Sequence, residues 1–224
     1  MALDVTTKDC TALSDSELAE MADLCAETGA GHEVGTLSKI TEEDGWVLVT
    51  LVREGNHLRG FSISTLERIG GTPAIIMGPA TVKRHSKRDA VLKAIVSDNF
   101  RRALMAFPDE DVLMGARINS PAGFEAFRLL TDIVPRTEGK HSGEERAWGR
   151  RLVKRYDVAA DRYDEHTFVI AGDGTSPLVI DHESLKPEKL DPSLAELFVG
   201  VDVDRGDCLV VCGWVMAEEL LKHG

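Results

Sequence analysis

Residues 74–82 read as a strand that carries Gly78-Pro79 in its middle and runs directly into Lys83, Arg84, His85, Ser86, Lys87 and Arg88. Pro79 has no N–H to give a ladder, so a strand containing it must bulge there or leave an edge unpaired. Ser86 followed three residues later by Asp89 predicts a capped helix start. The amides at such a start have no intrahelical partner and the helix dipole is positive there, so a strand that ends in this turn is a place where a phosphate can sit. Four cations within six residues also reverse the sign of a chain whose formal net charge is −12. Charge patterning alone leaves a second reading open, in which the four cations only coat a solvated helix turn.

The neighbouring segments restrict the fold further. Residues 46–52 form an apolar run, Glu54-Gly55-Asn56 supplies a turn, and residues 60–66 alternate Phe61, Ile63 and Thr65 with Ser62 and Ser64. With residues 74–82 they predict an antiparallel meander of three strands. Before it, residues 14–27 read as an amphipathic helix opened by Ser14 and Glu17 and closed by Gly29 and Gly31. After it, a helix from Ser86 buries Val91, Ala94, Ile95, Ala103, Leu104 and Phe107 and stops at Pro108. Residues 112–118 are a fourth strand, and Asn119-Ser120-Pro121 opens another helix carrying Phe124, Phe127 and Leu130.

Beyond the polar loop 138–143, which offers a domain boundary, residues 144–156 read as a helix. Residues 167–171 and 178–180 read as short strands, and the runs 197–203 and 208–215 flank the turn 204–207 as a hairpin that buries Trp214. These two runs are too apolar to stay solvated, so they should meet the main sheet or a second copy of the chain.

Several classes are disfavoured. An acidic chain lacks the extended basic face that nucleic acid requires, and no apolar run approaches the ~20 residues of a membrane span. The expectation is a soluble cytoplasmic protein that engages neither. Cys10, Cys25, Cys208 and Cys212 form no C-x-x-C pair and stand near no pair of histidines, so neither a disulfide framework nor a metal site is indicated. With no G-x-S-x-G elbow, hydrolase chemistry is unsupported.

The order of elements over about residues 13–136, a helix, a three-strand meander, a helix opened at a phosphate-competent turn, a strand and an Asn-opened helix, resembles the GNAT acetyltransferase superfamily. The resemblance implies an α/β (α+β) fold with a mixed, mostly antiparallel sheet flanked by helices. It implies a GNAT-like acyl-CoA-binding domain at 1–136, with 137–224 a C-terminal α/β extension, separate or packed into the same domain. In that family the bulged strand receives the pantetheine arm of acetyl-CoA and the next helix start holds the pyrophosphate. The implied ligand is acetyl-CoA or CoA, contacted by Val82, Lys83, Arg84, His85, Ser86, Lys87, Arg88 and Asn119. Two positions depart from the family pattern. The family's glycines are absent from residues 84–90, and Phe127 or Ala126 stands where a Tyr often serves as acid to the leaving thiolate.

Acyl transfer to an amine needs a base, an oxyanion donor and an acid. Glu67, near the end of the second meander strand, is the candidate base, with a surface pair to Arg68 as the plainer reading. His85 suits phosphate contact, and His32 and His57 fall in loops. The leading expectation is an acyl-CoA-dependent N-acyltransferase acting on a small-molecule or peptide amine. The alternative is a noncatalytic GNAT-like binding or regulatory protein that dimerises.

Overall fold

The structure, a computed structural model, describes residues 2–42 and 45–223. Strand β1 (Asp4–Asp9) is followed by helices α1 (Asp15–Thr28) and α2 (Val34–Glu42). The meander is β2 (Leu48–Glu54), β3 (His57–Ile69) and β4 (Thr72–Val82). Helix α3 (Arg88–Ala106), β5 (Val112–Ile118), a 3-10 helix at Pro121–Phe127 and β6 (Thr131–Val134) come next. The C-terminal part holds α4 (Gly143–Arg155), the two-residue strands β7 (Tyr163–Asp164), β8 (Val169–Ile170) and β9 (Ile180–Asp181), then β10 (Cys208–Val215) and the short α5 (Ala217–Leu220).

All ten strands join one sheet of order β1-β2-β3-β4-β5-β10-β8-β7, with β6 on β10 and β9 on β4. The pairing is antiparallel except for β4 with β5 and β4 with β9. This is the mixed, mostly antiparallel sheet flanked by helices that the sequence led us to expect. The meander is as expected too, down to the irregularity: Ser62 faces Ala80 and Ser64 faces Met77, so Ile63 alone spans the two residues Gly78 and Pro79. Gly78 has a steric role, because a Cβ there would lie 2.9 Å from the Trp46 ring and 3.2 Å from the Ile63 carbonyl.

Strand alternation divides the core. Leu113 of β5 points toward α1, α2 and α4, where Met21, Cys25, Leu37, Phe61 and Leu152 are buried. Met114, Ala116 and Ile118 point toward α3 and the 3-10 helix, among Val91, Ile95, Phe100 and Phe127. The four cysteines are buried and free. Among the described residues no helix is long and apolar enough to cross a membrane.

Two expectations are corrected. Ser86 does not cap α3. Residues 85–88 form a turn in which His85 Nδ1 accepts the Lys87 amide at 2.8 Å, and the N-cap position falls to Lys87, whose side chain makes no capping hydrogen bond. Asp89 cannot complete a capping box because its carboxylate accepts the amide of Leu185 at 3.0 Å. The second correction is the C-terminal hairpin, which does not form. Residues 192–198 coil as a 3-10 helix, and β10 pairs instead with β5 over seven positions from Leu209–Ile118 to Val215–Val112. The turn is real but closes on itself: the buried Asp207 carboxylate accepts the amides of Gly172 and Asp202 and the Arg205 guanidinium. β5 offered an open edge with a longer ladder, so the apolar run meets the main sheet, with Trp214 half-buried edge-on to Trp148. β1 and α2 carry no strong signal in the sequence and were not expected.

Both α1 and α4 open with reciprocal capping boxes, Ser14 with Glu17 and Ser142 with Glu145. Burial opposes ionisation of Glu17, but Lys8 and the amide and hydroxyl of Ser14 outweigh it and hold the carboxyl at about 2. Arg136, helped by Ser142, holds Glu145 at about 2 as well. A folded-state pKa below the ordinary 4.5 contributes stability above the unfolded value and loses it as pH falls toward the folded one. Thermal denaturation across pH is therefore expected to show a melting temperature that declines between about pH 5 and pH 2. The decline should be smaller in a Glu17→Gln, Glu145→Gln variant; an equal decline would remove these caps from the account.

Candidate functional site

β4 and β5 run side by side only at Ala74–Leu113, Ile75–Met114 and Ile76–Gly115. Past the Gly78-Pro79 bulge they diverge, and the gap exposes the outer half of β4. The chain fills that gap itself. β9 pairs in parallel with β4 at Ala80–Ile180 and Thr81–Asp181, and the Ala80 amide donates to the Val179 carbonyl at 3.0 Å. Ile180 is fully buried against the α3 side of the core.

The segment that follows β9 takes up the basic turn. Arg84 Nη2 pairs with the Asp181 carboxylate, and Arg84 Nε lies 3.5 Å from Glu183. Arg88 donates to the Glu183 and Ser184 carbonyls at 2.7 and 2.9 Å. Lys83 pairs with Glu27 at 2.7 Å, and Lys87 pairs with Glu54. Each of the four cations thus already has a carboxylate. Val82 is buried at the end of β4, opposite Gly60. Ser86 is exposed. Burial, then the nearby Arg59, lowers the His85 pKa, which favours a neutral ring. Asn119 lies between an open cleft of about 590 Å³, also lined by Arg84 and His182, and a pocket of about 150 Å³ beside His32 and Ser176.

Glu67 is distant from this turn and is committed elsewhere: Arg155 Nε donates to it at 2.6 Å, and the Arg155 guanidinium stacks 5.2 Å from the Trp46 ring centroid. Phe127 and Ala126 are buried and donate no proton. The nearest thiol is Cys25, 3.6 Å from the Thr81 hydroxyl, and burial pushes it up to about 11, so it is not a thiolate.

Four polar residues in and around the slot escape sequence reasoning. Tyr156 is buried and its hydroxyl donates to the Met77 carbonyl at 3.3 Å, next to the bulge, while burial raises its pKa. Arg117, 7% exposed, lays its guanidinium 4.5 Å from the Tyr156 ring centroid. His182 and Glu125 meet at 2.7 Å, with Ser184 Oγ donating to Glu125 at 3.0 Å. The one available signal was the apolar run 178–180 leading into Asp181-His182; nothing local marks Glu125 or Arg117.

No family model matches the chain, and no curated protein matches it. Among solved structures it is similar in part to ribosomal-protein-alanine N-acetyltransferase from Brucella melitensis biovar Abortus 2308, with TM-score 0.37, 18% identity, and 47% of this chain and 73% of that one covered. Escherichia coli ElaA gives TM-score 0.40 and 17% identity over 63% of this chain and 95% of its own. The aminoglycoside N-acetyltransferase AAC(6')-Iy, in complex with CoA, gives 0.38 and 14% over 50% and 74%.

Proposed function

We propose that this chain is a noncatalytic binding or regulatory module on a GNAT-like sheet, in which a segment of the chain stands where the resemblance implies an acyl-CoA. The observation that carries this reading is β9, hydrogen-bonded to β4 just past the bulge, with Arg84 and Arg88 engaged by residues 181–184. A pantetheine arm needs the backbone edge that β9 uses, and a pyrophosphate needs the cations that Asp181, Glu183, Glu54 and Glu27 neutralise. The residues present therefore do not fit CoA while residues 178–185 stay in place. The commitment of Glu67 to Arg155 and the apolar Phe127 and Ala126 agree, since neither a free base nor an acid stands at the positions the resemblance assigns. The hairpin invoked for dimerisation is absent, so the proposal includes no dimer.

The second reading is an N-acyltransferase that takes acetyl-CoA and a small-molecule or peptide amine. The bulge and the divergence of β4 from β5 favour it, but it requires the β9 segment to leave. Titration of the chain with CoA and acetyl-CoA separates the two. A ligand at 100 times its dissociation constant stabilises a fold by ~2.7 kcal/mol, several degrees in melting temperature at this size. The expected result is no shift and no heat of binding. Saturable binding would overturn the noncatalytic reading and restore the transferase.

A further inference from the structure

We propose that Asp89, Glu125 and His182 form a binding site for one divalent transition-metal ion, which pins the β9 segment to α3 and to the 3-10 helix after β5. The inference is independent of CoA. Asp89 lies in the first turn of α3, Glu125 in the 3-10 helix, and His182 directly after β9. Only the tertiary fold brings them together. Nε2 of His182 lies 2.7 Å from Glu125 Oε2 and 3.6 Å from Asp89 Oδ1, and the three donor atoms all fall within 4.8 Å of one another. Around a tetrahedral ion with bonds of about 2.1 Å, ligand atoms stand roughly 3.4 Å apart, so small side-chain shifts would seat an ion here.

Charge makes the same case. The Glu125 side chain is 8% exposed, and among the described residues neither it nor Asp89 forms an ion pair with a Lys or Arg. Arg84 and Arg88, the nearest members of the basic turn, are spent on Asp181, Glu183 and Ser184. Two carboxylates and a buried imidazole thus converge, among the described residues, with no Lys or Arg in ion-pair contact, an arrangement that a bound positive ion would relieve. Among the described residues the ring has no polar contact outside this group, because Nδ1 has no hydrogen-bond partner.

One imidazole with two carboxylates suits Zn²⁺, Mn²⁺, Co²⁺ or Fe²⁺ better than a soft monovalent ion. A cavity of about 480 Å³ bordered by Asp89, Lys93, Glu125 and Leu129 gives access from solvent and room for water on the remaining coordination positions.

The test uses the full chain stripped with a chelator and titrated with zinc chloride by calorimetry. The expected result is one ion per chain and a higher melting temperature with zinc. Asp89→Asn and Glu125→Gln should each weaken binding by about tenfold or more. Asp89→Asn guards against misfolding: the position is partly exposed, and an Asn oxygen can still accept the Leu185 amide. No saturable binding by the parent chain, or unchanged affinity in both variants, would overturn the site.

Discussion

Replacing Ile180 with Asp is expected to detach residues 178–185 from the sheet while the rest of the fold survives. Ile180 has no exposed surface and sits among the apolar side chains under α3, so the substitution buries a carboxylate without a partner. Such changes belong to the small class that costs ~4 kcal/mol or more. The chain has a cheap escape, because β9 holds β4 through only two paired residues, whereas β5 is locked between β4 and β10. Local release is then favoured over global unfolding. Amide hydrogen exchange reads the difference. The Ala80 amide, bonded to the Val179 carbonyl, should exchange about a thousandfold faster, while amides in the β5–β10 ladder keep their protection. Unchanged Ala80 exchange would mean that β9 does not cover β4. Uniform loss across the sheet would make β9 an integral part of the core and remove any prospect of a slot that opens.

Arg117→Met is expected to raise stability, against the usual direction for a core substitution. Arg117 lies in β5 opposite Val210, is nearly buried, and among the described residues its Nε has no hydrogen-bond partner. Among the described residues no carboxylate pairs with it, and burial lowers its pKa, the mark of a charge held where charge is costly. Its guanidinium does lie favourably over the Tyr156 ring. Apolar replacement of buried ionic groups often gains ~1–4 kcal/mol, and a cation–ring contact returns about 2 kcal/mol at most sites of this kind. Met keeps the length of the side chain and a favourable sulfur–ring contact. The predicted gain is ~1–2 kcal/mol, or roughly 2–8 °C in melting temperature for a chain of this size. A melting temperature lowered by a similar amount would show that the guanidinium's attraction to Tyr156 outweighs its desolvation.

The meander was legible because each of its signals is local. Glu54-Gly55-Asn56 and Gly70-Gly71 turn the chain, alternation places Phe61 and Ile63 inward, and a proline can enter a strand only at a bulge or an edge, which set the irregularity at Gly78-Pro79. α1 was legible through Ser14, Glu17 and Gly29, where cap and stop chemistry act within a turn. The start of α3 was misread because His85 closes the turn before it and the Asp89 carboxylate was claimed from outside the helix, by Leu185, ninety-six residues away. The hairpin of residues 197–215 failed for a related reason. The run 208–215 was read correctly as one that must be buried, but apolarity does not name a partner and β5 offered the better edge, while the run 197–203 stays largely solvated, with Val199 and Val203 exposed.

By itself the sequence determined the elements whose causes lie within a few residues: the three-strand meander and its bulge, the capped α1, the helix α4, β5, and the gathering of cations after β4. It could not determine what those cations face. Lys83, Arg84, Lys87 and Arg88 read equally as a phosphate site or a solvated turn, since isolated charges carry no record of their partners. Tertiary structure decided that, bringing Glu27, Glu54, Asp181 and Glu183 onto them and β9 onto the open edge of β4. The same long-range closure placed His182 beside Glu125 and Asp89 and left Arg117 without a carboxylate. Ion pairing and edge-strand pairing depend on which surfaces meet in space, and that is fixed by burial of the whole core and not by any local run of residues.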